Sequence, residues 1–316
     1  MTRVELDPAI TKAFREHPEL TFEITAENLP VIRTMAPSGS LDDLVADSRF
    51  TAQERVVPST TDAPDVTLLI LSPTGFTGPR PVIYYIHGGG MVLGDRYTGI
   101  ELVAPFAANH GAIIVSVEYR LSPEHPHPAP IDDCYAGLVW TAEHADEFHA
   151  DPHQISVLGI SAGGGLAAGI TLMARDRSGP AITHQILWSP MLDDRELTPS
   201  SVDFTGEGSW HRENNRFAWA ALLGDAVRSD TVSPYAAPAR AVDLSGLPPA
   251  FIDVGNAEPF RDPAIDYAAR LSQAGIQVEF HMWPGGVHTF ELMVPDAPIS
   301  VGNRHARHAY VERMLA

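Results

Sequence analysis

The stretch Gln154-Ile155-Ser156-Val157-Leu158-Gly159-Ile160-Ser161-Ala162-Gly163-Gly164 decides how the rest of the chain is interpreted. Its first five residues are typical of a buried strand, and residues 164–175 have the pattern of a helix. Between them, residues 159–163 fit G-x-S-x-G in the strand–turn–helix setting that this motif requires. Such a tight turn lifts the Ser161 hydroxyl clear of the sheet and directs a helix N-terminus toward it, so we predict that Ser161 is a nucleophile.

Outward from this turn, apolar strands alternate with helical stretches. Further strands are predicted at Val66–Leu71, Val82–Ile86, Ala112–Val117, Ile182–Trp188, Ala250–Val254 and Val278–Trp283. Further helices are predicted at Gly99–Asn109, Ile131–Glu143 and Asp262–Gln273. This alternation predicts an α/β fold with a mostly parallel central sheet that helices cover on both faces.

Two segments depart from the alternation. Residues 1–45 have the pattern of an amphipathic helical arm, with helix starts at Asp7-Pro8 and Leu29-Pro30. Residues 194–244 contain no good strand and are interpreted as an insertion over the sheet. We therefore expect one catalytic domain, formed by residues 46–193 and 245–316, with the arm and the insertion as lid elements.

The segment His87-Gly88-Gly89-Gly90 follows a predicted strand. Its glycines allow backbone N–H groups to approach a ligand closely, as an oxyanion in a tetrahedral intermediate requires. We assign the donors to the N–H groups of Gly88, Gly89 and Ala162, and we expect His87 to brace the loop. A phosphate-binding loop would need a neighbouring Lys or Arg, and the nearest is Arg96.

Taken together, four segments resemble the bacterial hormone-sensitive-lipase-like carboxylesterases of the α/β-hydrolase fold. They are residues 87–90, 118–125, 159–164 and 286–288, within a resemblance that spans about residues 65–315. The resemblance implies a serine carboxylesterase that acts on short- to medium-chain acyl esters, including acetylated aryl or bulky alcohols. It also implies a helical cap built from the arm and the insertion, and a homodimer formed through the edge strand Val278–Trp283.

The catalytic base is predicted to be His288. Triad members on this fold follow in the order Ser, acid, His, and His288 lies just past the last predicted strand, where a loop can reach Ser161. Basic residues of the terminal helix are assigned instead to a solvated face: Arg304, His305, Arg307 and His308.

The acid position departs from the family pattern, because Glu258 stands where the family usually has Asp. Glu can also orient an imidazole, so Glu258 is our first candidate. Asp262 is the second, although it is expected to cap the next helix, and Asp253 inside a strand is a poorer one. Ile160 is another departure, since the family commonly has an acidic residue between the first Gly and the Ser of the motif.

The substrate pocket is less determined by the sequence. Its candidate apolar residues are Met91, Trp188, Trp210 and Phe290. Each is equally well explained by core or cap packing. Three other functions stay open beside ester hydrolysis: amide or arylformamide hydrolysis with the same triad, a lyase, which Ser161 argues against, and a binding protein, which His288 argues against.

The amino-acid composition limits the kinds of partner that we expect for this chain. The 316 residues include 40 acidic and 21 basic side chains, a net charge of −19, which argues against nucleic acid or an anionic membrane as a partner. The single cysteine, Cys134, excludes an internal disulfide, and neither an apolar secretion segment nor a transmembrane run is recognisable. We therefore expect a cytoplasmic protein. Its partner is expected to be a small ester substrate, with no metal and no cofactor, because no Cys/His cluster has ligand spacing.

Overall fold

An eight-stranded sheet forms the centre of the computed structural model, which describes residues 4–35, 39–58, 64–206 and 208–316. Within these ranges the strands are β1 (Phe50–Val57), β2 (Val66–Pro73), β3 (Arg80–Ile86), β4 (Ile113–Glu118), β5 (Ala150–Ile160), β6 (His184–Trp188), β7 (Ala250–Gly255) and β8 (Val278–Trp283). Their order is β1-β2-β4-β3-β5-β6-β7-β8, with β2 antiparallel to both neighbours and the other pairs parallel. The predicted fold class is confirmed, and β8 lies at an edge of the sheet.

The helices of the described ranges fill the connections between strands. They are α1 (Pro8–Glu16), α2 (Leu29–Met35), α3 (Leu41–Ala46), α4 (Ile100–His110), α5 (Ala129–Glu143), α6 (Ala162–Asp176), α7 (Pro199–Asp203), α8 (Arg212–Leu223), α9 (Arg261–Gln273), α10 (Phe290–Met293) and α11 (Pro298–Leu315). Short 3₁₀ helices cover Pro18–Leu20, Ala145–Phe148, Gly224–Ala226 and Pro238–Arg240. Among these helices, none combines the length and the apolar character that crossing a membrane requires.

Strand β1 is absent from the sequence prediction. Its residues Phe50–Val57 include Gln53, Glu54 and Arg55, and only its two end residues are buried. It pairs antiparallel with β2 at the sheet edge, so one side of its backbone has no strand neighbour among the described residues. A strand in that position needs no continuous apolar run, which is the signal that finds buried parallel strands.

The two faces of the sheet carry separate apolar clusters because successive side chains of a strand point to opposite faces. On β3, Val82 and Tyr84 belong to one cluster and Ile83 and Tyr85 to the other. The first cluster continues into α5 and α6, and the second into α4 and α11. Helices therefore cover both faces, as the sequence pattern predicts.

The N-terminal arm is bonded to the segment between β6 and β7. The Asn214 side chain on α8 accepts the Ile24 N–H at 2.7 Å and donates to the Phe22 carbonyl at 2.8 Å. Farther along the arm, Arg33 donates to the Val92 carbonyl at 2.8 Å. The hydrogen bonds of Asn214 and Arg33 therefore connect the arm to α8 and to the loop that follows β3. Both predicted helix starts in the arm are confirmed, at Pro8 and at Leu29.

The core makes a direct prediction about stability. Leu68 on β2 is fully buried, so Leu68→Ala should lower the free energy of unfolding by about 2–5 kcal/mol through lost burial and a residual cavity. Val242 is 98% exposed, so the control Val242→Ala should change it by no more than about 0.5 kcal/mol. Urea unfolding followed by fluorescence measures both, and equal midpoints for Leu68→Ala and the wild type would contradict the packing described here.

Candidate active site

Ser161 occupies the sharp turn between β5 and α6. Its backbone has φ 59° and ψ −118°, a positive φ that side-chain-bearing residues rarely adopt and that functional sites often retain. Its N–H donates to the Trp188 carbonyl at 2.8 Å, and its carbonyl accepts the Met191 N–H at 2.9 Å. The turn is therefore fixed from the side of β6, and Ser161 is only 4% exposed.

The glycine loop after β3 lies directly beside this turn. A Cβ built on Gly88 would lie 3.3 Å from the Cβ of Ser161, so the two backbones are in contact distance. Within the described residues, the N–H groups of Gly88, Gly89 and Ala162 donate to no acceptor. Backbone N–H groups are rarely left without a partner, and N–H groups next to a serine can donate hydrogen bonds to a negatively charged ligand atom.

His87 supports the glycine loop through contacts with Tyr119 and Gly88. Its ring stacks on Tyr119 with centroids 4.1 Å apart, and its Nδ1 donates to the Gly88 carbonyl at 2.8 Å. Burial lowers the pKa of His87, so the ring is neutral near pH 7. Tyr119 adds a hydrogen bond of 3.0 Å to the His87 carbonyl. These contacts are those of a bracing residue, the part expected for His87.

Three predicted side chains form one hydrogen-bonded series. His288 Nε2 lies 2.9 Å from Ser161 Oγ, and His288 Nδ1 lies 2.5 Å from Glu258 Oε2. Glu258 follows β7 and His288 follows β8, and the two loops are joined by the Ala257 N–H to the Gly286 carbonyl at 2.8 Å. The structure thus brings Ser161, His288 and Glu258 together, all at most 4% exposed.

The second carboxylate oxygen of Glu258 is also occupied. Its Oε1 accepts the Gly255 N–H at 2.7 Å and the Ser189 hydroxyl at 3.1 Å. Ser189 follows β6, and its backbone has a positive φ of 43°. Ser189 carries no sequence signal for this contact, because 69 residues separate it from Glu258.

Asp262, the second candidate acid, is engaged elsewhere. Its Oδ2 accepts the Ser200 N–H at 2.7 Å and its Oδ1 accepts from Arg261 at 2.7 Å. Burial raises the pKa of Asp262, but these two hydrogen bonds outweigh it and the pKa lies below its ordinary value. The expectation that Asp262 caps its own helix is wrong: it lies within the first turn of α9 and binds the first turn of α7 instead.

The four predicted pocket residues are distributed over the site and its surroundings. The ring centroid of Trp210 lies 6.3 Å from that of His288, and Met91 is buried at the end of the glycine loop. Trp188 packs on the other face of the sheet against Phe106. Phe290 packs in a small cluster with Ile10, Ala257 and Val287. The structure therefore brings Trp210 alone of the four into ring contact with His288.

Ile160 is accounted for by its burial. It is 7% exposed and belongs to the apolar cluster that includes Tyr85, Ile100 and Trp188. An acidic residue there would have to be buried against this cluster, which is costly unless the side chain is paired. The departure from the family pattern therefore matches its local surroundings.

One assignment on the terminal helix is wrong. Arg307 does not belong to a solvated face: it is 4% exposed and bonded to Asp253 and Glu291. His305 is exposed, as expected, and Arg304 and His308 are half-buried. Arginine on a helix with several other basic residues carries no sequence signal that separates a buried ion pair from a solvated side chain.

Comparison with known proteins agrees with this geometry. A family described as having the alpha/beta hydrolase fold matches residues 83–292. The carboxylesterase NlhH of Mycobacterium tuberculosis is 38% identical over 243 residues, which are 75% of this chain and 76% of NlhH. An ethyl acetate hydrolase of Pseudomonas putida is 30% identical over 212 residues, covering 67% of this chain and 66% of that protein. The solved structure of bacterial heroin esterase superposes with a TM-score of 0.90 at 36% identity, covering 98% of each chain.

These matches define the class of the protein as an α/β hydrolase. The chain belongs to the hormone-sensitive-lipase-like family within that fold, as the sequence motifs imply. With carboxylesterases and esterases among its relatives in both sequence and structure, it is a carboxylic ester hydrolase.

The contact between the turn and the glycine loop can be tested at Gly163. A Cβ at this position would lie 2.0 Å from the Ile86 carbonyl oxygen, so Gly163→Ala must push the glycine loop away from Ser161. We expect ester hydrolysis to fall about 100-fold, the effect of misplacing reacting groups by about 1 Å. In the control Gly39→Ala the new Cβ meets nothing closer than 3.9 Å, and wild-type rates are expected. Wild-type rates in Gly163→Ala would contradict the described approach of the loop.

Proposed function

We propose that this carboxylic ester hydrolase works through a triad of Ser161, His288 and Glu258 and that its substrates are short- to medium-chain acyl esters. The observation that carries the triad is the hydrogen-bonded series from Ser161 Oγ through both His288 nitrogens to Glu258. A nucleophile bonded to a base, with the base oriented by a third group, is the arrangement that activates a serine hydroxyl.

Acylation follows from these contacts. With its proton on Nδ1, held toward Glu258, the imidazole of His288 accepts the Ser161 hydroxyl proton at Nε2 as Oγ bonds to the ester carbonyl carbon. The carbonyl π electrons move to the oxygen, which becomes the oxyanion. When the intermediate collapses, the carbon–alkoxy bond breaks and Nε2 returns the proton to the departing alcohol. The product of this half-reaction is an acyl-Ser161 ester.

Deacylation repeats the sequence with water as the nucleophile. Water gives a proton to His288 Nε2 while its oxygen bonds to the acyl carbon, and the collapse of the second intermediate returns that proton to Ser161 Oγ. Positioned proton transfer of this kind contributes about 10²- to 10⁴-fold to a rate. Glu258 keeps its charge throughout and stabilises the imidazolium that forms in each half.

The oxyanion is proposed to rest on the N–H groups of Gly88, Gly89 and Ala162. The support is that, in the described part of the chain, these N–H groups donate to no acceptor, that Gly88 lies against Ser161 and that Ala162 directly follows it. Each well-placed donor of this type is worth about 3–4 kcal/mol in the transition state. Ala162 is the first residue of α6, so its N–H also carries the positive end of the helix dipole.

Glu258 can replace the usual Asp because its surroundings hold the longer side chain in one position. The Gly255 N–H and the Ser189 hydroxyl both donate to Oε1, which leaves Oε2 for His288. A charged carboxylate with three donors is well compensated for its burial. We propose that Ser189 is what accommodates the additional methylene.

The arm and residues 194–244 are proposed to form a cap that limits the acyl pocket. Support comes from the hydrogen bonds between Asn214 and the arm and from Trp210, whose ring approaches His288. Short acyl groups agree with the name of the Pseudomonas putida relative, ethyl acetate hydrolase. A bulky alcohol agrees with the name of the similar heroin esterase.

A homodimer through β8 stays a prediction, supported by the position of this strand at the sheet edge.

The identity of the acid is tested by two isosteric substitutions. Glu258→Gln should lower kcat by about 10³- to 10⁴-fold, because the amide no longer stabilises the imidazolium or fixes the correct tautomer. Asp262→Asn is the matched control and should keep nearly the wild-type kcat, since Asp262 binds α7. Steady-state kinetics with p-nitrophenyl acetate measures both. A near-normal kcat for Glu258→Gln with a loss for Asp262→Asn would reverse the assignment.

The substrate class is tested with p-nitrophenyl esters from acetate to dodecanoate. We expect kcat/KM to be highest between acetate and hexanoate, and Ser161→Ala to abolish turnover along the whole series. Trp210→Ala should move the optimum toward longer acyl chains, because it removes the ring beside His288. An optimum at dodecanoate in the wild type would contradict a short acyl pocket, and residual turnover in Ser161→Ala equal to the wild type would remove Ser161 as the nucleophile.

A further inference from the structure

A buried ion cluster lies under the loops that carry the acid and the base. The guanidinium of Arg307 on α11 donates from Nε to Asp253 Oδ2 at 2.7 Å and from a terminal nitrogen to Glu291 Oε1 at 2.6 Å. Its other terminal nitrogen lies 3.2 Å from Asp253 Oδ1, and Asn303 adds a hydrogen bond of 2.6 Å to Asp253 Oδ2. None of these four side chains is more than 5% exposed.

The composition of this cluster is costly for stability alone. It holds two carboxylates against one guanidinium, and each buried ion loses several kcal/mol of hydration energy. Burial raises the pKa of Asp253, although Arg307 opposes the effect. Apolar side chains of similar volume often serve stability as well as or better than a buried ion pair. The segments that this ion cluster connects therefore indicate that it has a role beyond filling the interior.

The guanidinium of Arg307 touches three segments, and each leads to one member of the triad. Asp253 lies on β7, two residues before Gly255, whose N–H holds Glu258. Glu291 lies on α10, three residues after His288. The third contact is Trp188, whose ring lies 4.1 Å from the guanidinium carbon.

Trp188 connects Arg307 to the nucleophile as well as to the acid. Its carbonyl accepts the Ser161 N–H at 2.8 Å. The next residue, Ser189, donates its hydroxyl to Glu258 and its N–H to the Asp253 carbonyl at 2.8 Å. One planar side chain thus meets the strand behind the nucleophile, the strand before the acid and the helix after the base.

We propose that Arg307 is a positioning residue that fixes the loop of Glu258 and the loop of His288 relative to each other, a proposal that rests on the triad proposed above. Its rigid fork bonds Asp253 with two nitrogens and Glu291 with the third, so the distance between β7 and α10 is set at the guanidinium. Lysine carries the same charge as a single point and cannot bond both carboxylates in this geometry. Loss of the fork lets the His288–Glu258 contact lengthen without touching the substrate.

The test compares Arg307→Lys with Arg120→Lys. Arg120 also forms a two-nitrogen pair with a buried carboxylate, Asp133, at 2.7 and 2.8 Å, so it controls for the loss of such a pair. We expect Arg307→Lys to lower kcat for p-nitrophenyl acetate about 100-fold while KM stays near the wild-type value. The acid limb of the kcat/KM profile should move to lower pH, because a looser carboxylate stabilises the imidazolium of His288 less. Arg120→Lys should keep the wild-type kcat and pH profile.

A purely structural role gives a different pattern. If Arg307→Lys lowers the urea midpoint but keeps the wild-type kcat and pH profile, the proposal is overturned. Should Arg307→Lys fail to fold, Glu291→Gln carries the test, since its amide keeps the size of the side chain but offers the guanidinium only a neutral, weaker acceptor. It is expected to lower kcat and shift the acid limb in the same direction, and a wild-type kcat and profile would overturn the proposal.

The variant Glu258→Gln separates this proposal from the triad on which it rests. If Glu258→Gln keeps the wild-type kcat, the triad itself is wrong. If Glu258→Gln loses kcat and Arg307→Lys does not, the role of Arg307 alone is wrong. When Arg307→Lys is added to Glu258→Gln, it should lower kcat by a much smaller factor than it does in the wild type. The reason is that the His288–Glu258 contact that Arg307 positions has already been weakened. Additive losses in this cycle would also overturn the proposal.

Discussion

The carboxylate of Glu258 is fully buried, and the carboxyl ends of the central strands are arranged around its two oxygens. A buried ion without partners would be neutralised or expelled, so each oxygen must have donors. Gly255 at the end of β7 and Ser189 at the end of β6 supply them for Oε1, and His288 after β8 supplies one for Oε2. Three neighbouring parallel strands therefore have to end at matching heights for this one side chain to be satisfied.

The parallel order of the sheet makes that arrangement possible. Because β5, β6, β7 and β8 are parallel and adjacent, their following loops meet at one edge, although the residues involved are far apart in the chain. Ser161 and His288 are 127 residues apart and 2.9 Å distant. The hydrogen bonds of the Ser161 turn to β6 then fix Ser161 in the same frame as Glu258. The site is thus a property of strand order before it is a property of any loop.

What could be predicted from the sequence follows the same division. Buried strands such as β3 carry continuous apolar runs, and the edge strand β8 alternates apolar and polar residues over the bounds predicted for it, whereas the edge strand β1 carries neither signal. Ser161 and His288 could be predicted because a local motif and a fixed chain order identify them as candidates. Ser189 and Arg307 could not be predicted in this way. Their contacts with Glu258 and Asp253 join residues that are 69 and 54 positions apart, which no local pattern encodes. Asp262 shows the same limit, since its carboxylate caps a helix 62 residues away.

Arginine, rather than lysine, makes these long-range connections in this chain. Lys12 is the only lysine, and the other 20 of the 21 basic residues are arginines. Arg33 bonds the arm to the Val92 and Ser122 carbonyls and to Glu124, while Arg307 bonds β7 to α10. A planar fork with five donors satisfies several acceptors from different segments at once, which a single ammonium group does poorly. In a chain with a net charge of −19, such forks also compensate carboxylates where segments meet, as Arg33 does for Glu124 and Arg307 for Asp253 and Glu291.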